Sequence, residues 1–151
     1  MSLPGATGIG TQTDPTFGAI AGYTQQTYSQ ILAFVPGAQI MIVNGQAATS
    51  ATPHTLNVLS QTAFPASPTL GTTANGGTTI SAVGFSTGSV AAGTTIGPFT
   101  LAAGLYYIGC GFHYLSNGMR TVLDVAAAAT PGPQATPVPA QPVASNNPYG
   151  Y

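Results

Sequence analysis

The sequence predicts an all-β protein, an antiparallel β-sandwich or barrel between two flexible tails. Three observations predict it. Short runs rich in β-branched and aromatic residues recur along the chain, each run is bounded by Gly, Pro or Asn, and no helical period survives the spacing of 20 glycines and 13 prolines in 151 residues. In chain order, strands are expected at residues 28–35, stopped by Pro36-Gly37, at 38–43, stopped by Asn44-Gly45, and at 54–59, introduced by Pro53. Others follow at 94–100, leading into Leu101-Ala102-Ala103-Gly104, at 105–110 and at 119–125, and an earlier strand fits 17–23. The stretch 61–89 carries Asn75-Gly76-Gly77 and little alternation, so it reads as a long excursion with one short strand near 79–85. Residues 1–15 are a flexible N-terminal segment and residues 16–125 the domain. Residues 126–151 hold six of the thirteen prolines, a composition that favours extended, solvated backbone and marks a Pro/Ala-rich C-terminal tail.

Charge is almost absent. One residue is Lys or Arg and two are Asp or Glu, so 2% of the chain is charged where about 25% is ordinary. A single cation, Arg120, cannot neutralise a run of phosphates or anchor the chain to an anionic membrane, and two carboxylates make no acidic docking face. Polar residues interrupt every apolar stretch before it could span a bilayer as a helix. The start, Met1-Ser2-Leu3-Pro4-Gly5, lacks the charged and apolar regions of a secretory signal; we expect an extracytoplasmic protein, periplasmic or secreted, whose signal has been removed. With so few titrating groups, tolerance of an acidic environment is also expected.

The chemically capable residues are Cys110, His54, His113, Asp14, Asp124, Arg120, Met41 and Met119. A Ser-His-Asp hydrolase needs an acid against its histidine, yet Asp14 lies in a tail and Asp124 near the end of the last strand. No Gly-rich loop opens a helix, so no phosphate cradle is present. The soft ligands remain. Cys110, His113 and Met119 are spaced C-x2-H-x5-M between the last two strands, and His54 opens an earlier one. Two imidazoles, a thiolate and a weak axial thioether suit a blue-copper site. Strand alternation puts Cys110 on one face with Tyr106 and Ile108, His54 with Leu56 and Val58, and Met119 with Leu123 and Val125, all inward. Met41 is assigned to the core between Ile40 and Ile42, and Arg120 and Asp124 to a solvated outward face. Taken singly, Cys110 reads as a small buried hydrophobe, His54 as a strand histidine and Met119 as a core residue; together they read as a metal site.

Two segments carry a likeness to a known family: Ala51-Thr52-Pro53-His54-Thr55-Leu56, and Gly104-Leu105-Tyr106-Tyr107-Ile108-Gly109-Cys110-Gly111-Phe112-His113 through Gly118-Met119. There, and over roughly residues 16–125, the chain resembles the cupredoxins, the blue-copper proteins of the plastocyanin and azurin superfamily. The resemblance implies a Greek-key sandwich of seven to eight strands holding one type 1 copper through His54, Cys110, His113 and Met119. The chain departs from the family in its five residues between His113 and Met119, and in Thr55 where many members carry Asn.

Four protein ligands leave no open position on the metal, so electron transfer is expected and catalysis is not. His113, among Gly111, Phe112, Tyr114 and Leu115, is the expected electron port; a cytochrome or oxidase is the expected partner, met by a monomer through apolar contact. Copper storage or delivery is an alternative function, and a metal-free structural sandwich of a secreted assembly is another.

Overall fold

Alternating burial sorts the strands into two facing sheets. The computed structural model describes residues 31–45, 48–49, 51–117 and 119–127, with the backbone pairings of Ala6–Ile9, Thr13–Asp14, Gly18–Ala19, Tyr28–Ser29, Gly132–Pro133 and Val138–Pro139. The larger sheet runs Ile31–Phe34, Arg120–Val125, Gly104–Gly109, Asn57–Ser60, Ser86–Thr87, Ala74–Asn75, with Gly132–Pro133 beyond the first. The smaller places Thr95–Leu101 between Gln39–Asn44 and Thr79–Ile80, and Ala6–Ile9 lies along the outer edge of Gln39–Asn44. Most connections cross between the sheets, as in Greek-key sandwiches. At the first crossing Gly37 takes φ +84° after Pro36 and donates its N–H to Leu101 O at 2.8 Å. The core between the sheets takes Phe34 and Ile108 from the larger, Ile42 and Leu101 from the smaller, and Phe85 from the excursion.

The expected all-antiparallel arrangement is corrected to a mixed one. Val122 to Val125 run parallel to Ile31–Phe34, and Thr100 and Leu101 parallel to Thr79–Ile80. The chain leaves Ile31–Phe34 for the opposite sheet and re-enters the larger sheet beyond the final hairpin. The first and last long strands thus meet in the same direction, joined by the long connection that parallel neighbours require. Met41 is corrected too: Ile40, Ile42 and Asn44 point inward, so Met41 sits half-buried on the other face. The expected tails fall mostly outside the described residues, as does most of the expected strand at 17–23.

The excursion has a structural role that its sequence does not announce. It contributes three two-residue strands, Ala74–Asn75, Thr79–Ile80 and Ser86–Thr87, and its first part covers the outward face of the larger sheet. There Phe64, Tyr114 and Val122 are buried, with Leu59, Leu70, Tyr107 and Leu115 against them. Phe64 meets Tyr107 edge-on at 4.9 Å between centroids, and the Tyr114 hydroxyl donates to Pro65 O at 2.6 Å. Arg120 does face outward, as alternation requires, but it is 4% exposed and therefore not solvated. Its guanidinium lies 5.0 Å from the Phe64 ring centroid and bonds the Tyr114 hydroxyl, contacts that offset part of its desolvation. Truncation of Phe64 to Ala removes the cover from Tyr107 and Arg120 together. Its expected cost is about 3–5 kcal/mol in denaturant unfolding, against less than about 0.5 kcal/mol for the exposed Val83→Ala.

Candidate metal centre

Each donor is placed by ordinary backbone rules. Cys110 directly follows Gly104–Gly109, and alternation turns it inward with Tyr106 and Ile108 to complete burial. The chain then turns through residues 111–113 into one helical turn, Tyr114–Asn117, and returns at Met119. Four backbone bonds lock this loop: Tyr114 N–H and His113 N–H to Cys110 O at 2.9 and 3.3 Å, Met119 N–H to His113 O at 3.2 Å, and Cys110 N–H to Met119 O at 3.1 Å. His54 is fixed separately by a two-bond bridge with Val90, at 3.1 and 2.7 Å. Buried Asn44 braces that bridge by donating Nδ2 to Val90 O at 2.9 Å.

These elements bring His54 together with Cys110, 56 residues further along the chain, and with His113. The Cys110 sulfur lies 3.7 Å from His54 Nδ1 and 3.5 Å from His113 Nδ1, and the three donor atoms lie within 4.8 Å of one another. With metal–sulfur and metal–imidazole bonds of about 2.3 and 2.0–2.1 Å, one ion at tetrahedral to trigonal angles separates sulfur from nitrogen by roughly 3.5–3.8 Å. The observed separations match that span. The group is fit to hold a metal ion, and its soft sulfur and two imidazoles, with no carboxylate in the group, suit a soft or borderline cation.

The electrostatics of the metal-free site are those of neutral donors. Burial pushes the Cys110 thiol up, opposed by the backbone amides of Thr55, Phe112 and His113 and by the Thr55 side chain, all directed at the sulfur. Burial lowers both imidazoles; His54, which also faces His113, falls from 6.5 to about 4. The imidazoles are thereby kept in the unprotonated form that ligates metal. Met119, the fourth expected ligand, is 1% exposed in the same core cluster as Cys110 and is bonded through its backbone to both Cys110 and His113.

Behind the sulfur lies a polar support that strand patterning misses. Thr55 Oγ1 accepts the Gly111 N–H at 2.6 Å and Asn57 Nδ2 at 3.1 Å, and Asn57 Nδ2 also reaches Gly71 O at 3.0 Å. A Cβ on Gly111 would stand 2.5 Å from Gly71 O and 3.0 Å from Asn57 Nδ2, so only glycine fits there. In the sequence these residues are only the polar positions, Thr55 and Asn57, that alternate with Leu56 and Val58; their burial is what the structure adds.

No protein-family model matches the chain, and no curated protein or solved structure matches it either. The assignment of a metal-binding group to this β-sandwich rests on the residues and their geometry.

Acid should weaken the metal-free fold in one window. Below pH 6.5 the unfolded chain protonates His54 while the folded chain resists until about pH 4, so the unfolded state binds more protons and stability falls as pH falls between those values. The loss is up to about 3 kcal/mol, and His113 adds to it in the same direction. Denaturant unfolding of metal-free protein at pH 7 and pH 4 should show it, reduced in His54→Gln; equal stability at both pH values contradicts it.

Proposed function

We propose that the protein is a type 1 (blue) copper electron carrier of cupredoxin kind, with His54, Cys110, His113 and Met119 as ligands. The observation that carries the proposal is the convergence of one buried cysteine sulfur and two imidazole Nδ1 atoms at 3.5 and 3.7 Å in a β-sandwich. Bound copper would supply a Cu(II)/Cu(I) couple that accepts one electron from a reduced donor and releases it to an oxidised acceptor. The chain's part is to keep the donors nearly fixed in both states. The four backbone bonds of the ligand loop and the His54–Val90 bridge support such fixity. Thr55 and the amides of Phe112 and His113 direct donors at the sulfur, and Cys110 and Met119 belong to the one apolar cluster that fills the sandwich. In this reading the four ligands fill the metal's coordination, and the protein is a carrier and not an enzyme, working in an extracytoplasmic compartment.

Addition of Cu(II) to purified protein should produce an intense thiolate-to-copper visible band that saturates at one equivalent, with the matching electron paramagnetic resonance signal. Both should vanish in Cys110→Ala. Stoichiometric binding without colour would favour storage or delivery, and no binding would leave a metal-free structural sandwich.

The redox partner, of cytochrome or oxidase class, meets the surface beside His113. Phe112 is 39% exposed there, its ring 6.2 Å from that of His113, and the chain's one cation is buried on the far face of the sheet. Docking then rests on apolar contact and not on charge. Stopped-flow electron transfer should slow at least several-fold in Phe112→Ser and change little between low and high salt; a steep salt dependence contradicts apolar docking.

A further inference from the structure

Gly71 is the anchor of the polar support behind Cys110. Its carbonyl oxygen can only accept, so the Asn57 group 3.0 Å away must be the amide nitrogen; this fixes which way the Asn57 side chain faces. The other hydrogen on that nitrogen goes to Thr55 Oγ1, and the Gly111 N–H takes a second acceptor direction on the same oxygen. A threonine oxygen has two lone pairs and one proton. With both lone pairs engaged, the hydroxyl proton is free only to donate, and the Cys110 sulfur is the group it faces. Both side chains are enclosed: Thr55 is 0% and Asn57 3% exposed.

We propose that Asn57, held by the Gly71 carbonyl, is a positioning residue that keeps the Thr55 hydroxyl proton on the Cys110 sulfur and thereby raises the reduction potential of the bound copper. The inference rests on the copper reading above. Negative charge is greater on the sulfur in the reduced state, where copper withdraws less of it, so a hydrogen bond donated to that sulfur stabilises the reduced form more. Asn57 touches neither metal nor sulfur and acts only through Thr55. The excursion thus reaches the polar support behind Cys110 through the Gly71 backbone oxygen.

The test uses copper-loaded full-length protein and the variants Asn57→Leu, Thr55→Val, Thr55→Ser and the Val/Leu double variant, read by redox titration and by the visible band. Thr55→Val and Asn57→Leu should each lower the potential and move the thiolate-to-copper band to longer wavelength. Thr55→Ser, which keeps the hydroxyl, should stay near wild type. The double variant should shift no further than Thr55→Val alone, because Asn57 has no route to the sulfur except through Thr55. In metal-free protein, amide exchange at Gly111 should accelerate in Thr55→Val and Asn57→Leu and not in Thr55→Ser. An Asn57→Leu protein that melts lower but keeps the wild-type potential and band assigns Asn57 a merely structural role and overturns the inference, as do additive shifts in the double variant. A wild-type protein without a thiolate-to-copper band overturns the copper reading itself, a result separable from these.

Discussion

The hydrogen bond from Gly111 N–H to Thr55 Oγ1 joins two stretches of chain just beyond the end of their sheet pairing. One carries Cys110 and His113, the other His54, and they come from different strands of the larger sheet. Sheet pairing alone brings those strands alongside through Gly109 opposite Asn57, but that pairing ends before the donors begin. Past its end, side chains must do what the ladder no longer does. Thr55 supplies the acceptor, Asn57 orients it, and glycine at 111 lets the two backbones close.

The arrangement also explains why so uncharged a chain can bury a cysteine thiol and two histidines. Each is a polar group that an apolar interior disfavours unless something answers it. Here the sulfur faces backbone amides and a hydroxyl, and the imidazoles face the sulfur. Buried His54 Nε2 has no hydrogen-bond partner among the described residues. That ring is held by the backbone bridge to Val90 and by its contacts with the Cys110 sulfur and the His113 ring.

Much of this was legible because it is periodic. Tyr106, Ile108 and Cys110 alternate inward as their strand predicts, and so do Leu56 and Val58 behind His54 and Leu123 and Val125 behind Met119. The spacing from Cys110 to His113 matches one tight turn, which the backbone bonds to Cys110 O confirm. What escaped was not periodic. The excursion buries isolated residues, Phe64 on one face of the sheet and Phe85 on the other, and offers one carbonyl at Gly71, none of which leaves a pattern. Arg120 was placed on the correct face, but what covers that face comes from a segment without strand signals. Asn44 read as the start of a turn and is instead wholly buried, bonded to the carbonyls of Thr52 and Val90. Met41 was misplaced by counting hydrophobicity where alternation should have decided.

The burial of Arg120 bears on how long the protein survives among hydrolytic enzymes. A trypsin-like protease cuts after Lys or Arg, and this chain holds one such residue. The scissile bond at Arg120-Thr121 lies at the start of a strand, its residues opposite Gly109 and Ile108, with the recognition side chain capped by Phe64. Cleavage requires that the strand leave the sheet and the guanidinium leave its aromatic lid at the same time, which is close to global unfolding. The folded domain therefore presents no ready substrate to an entire class of proteases.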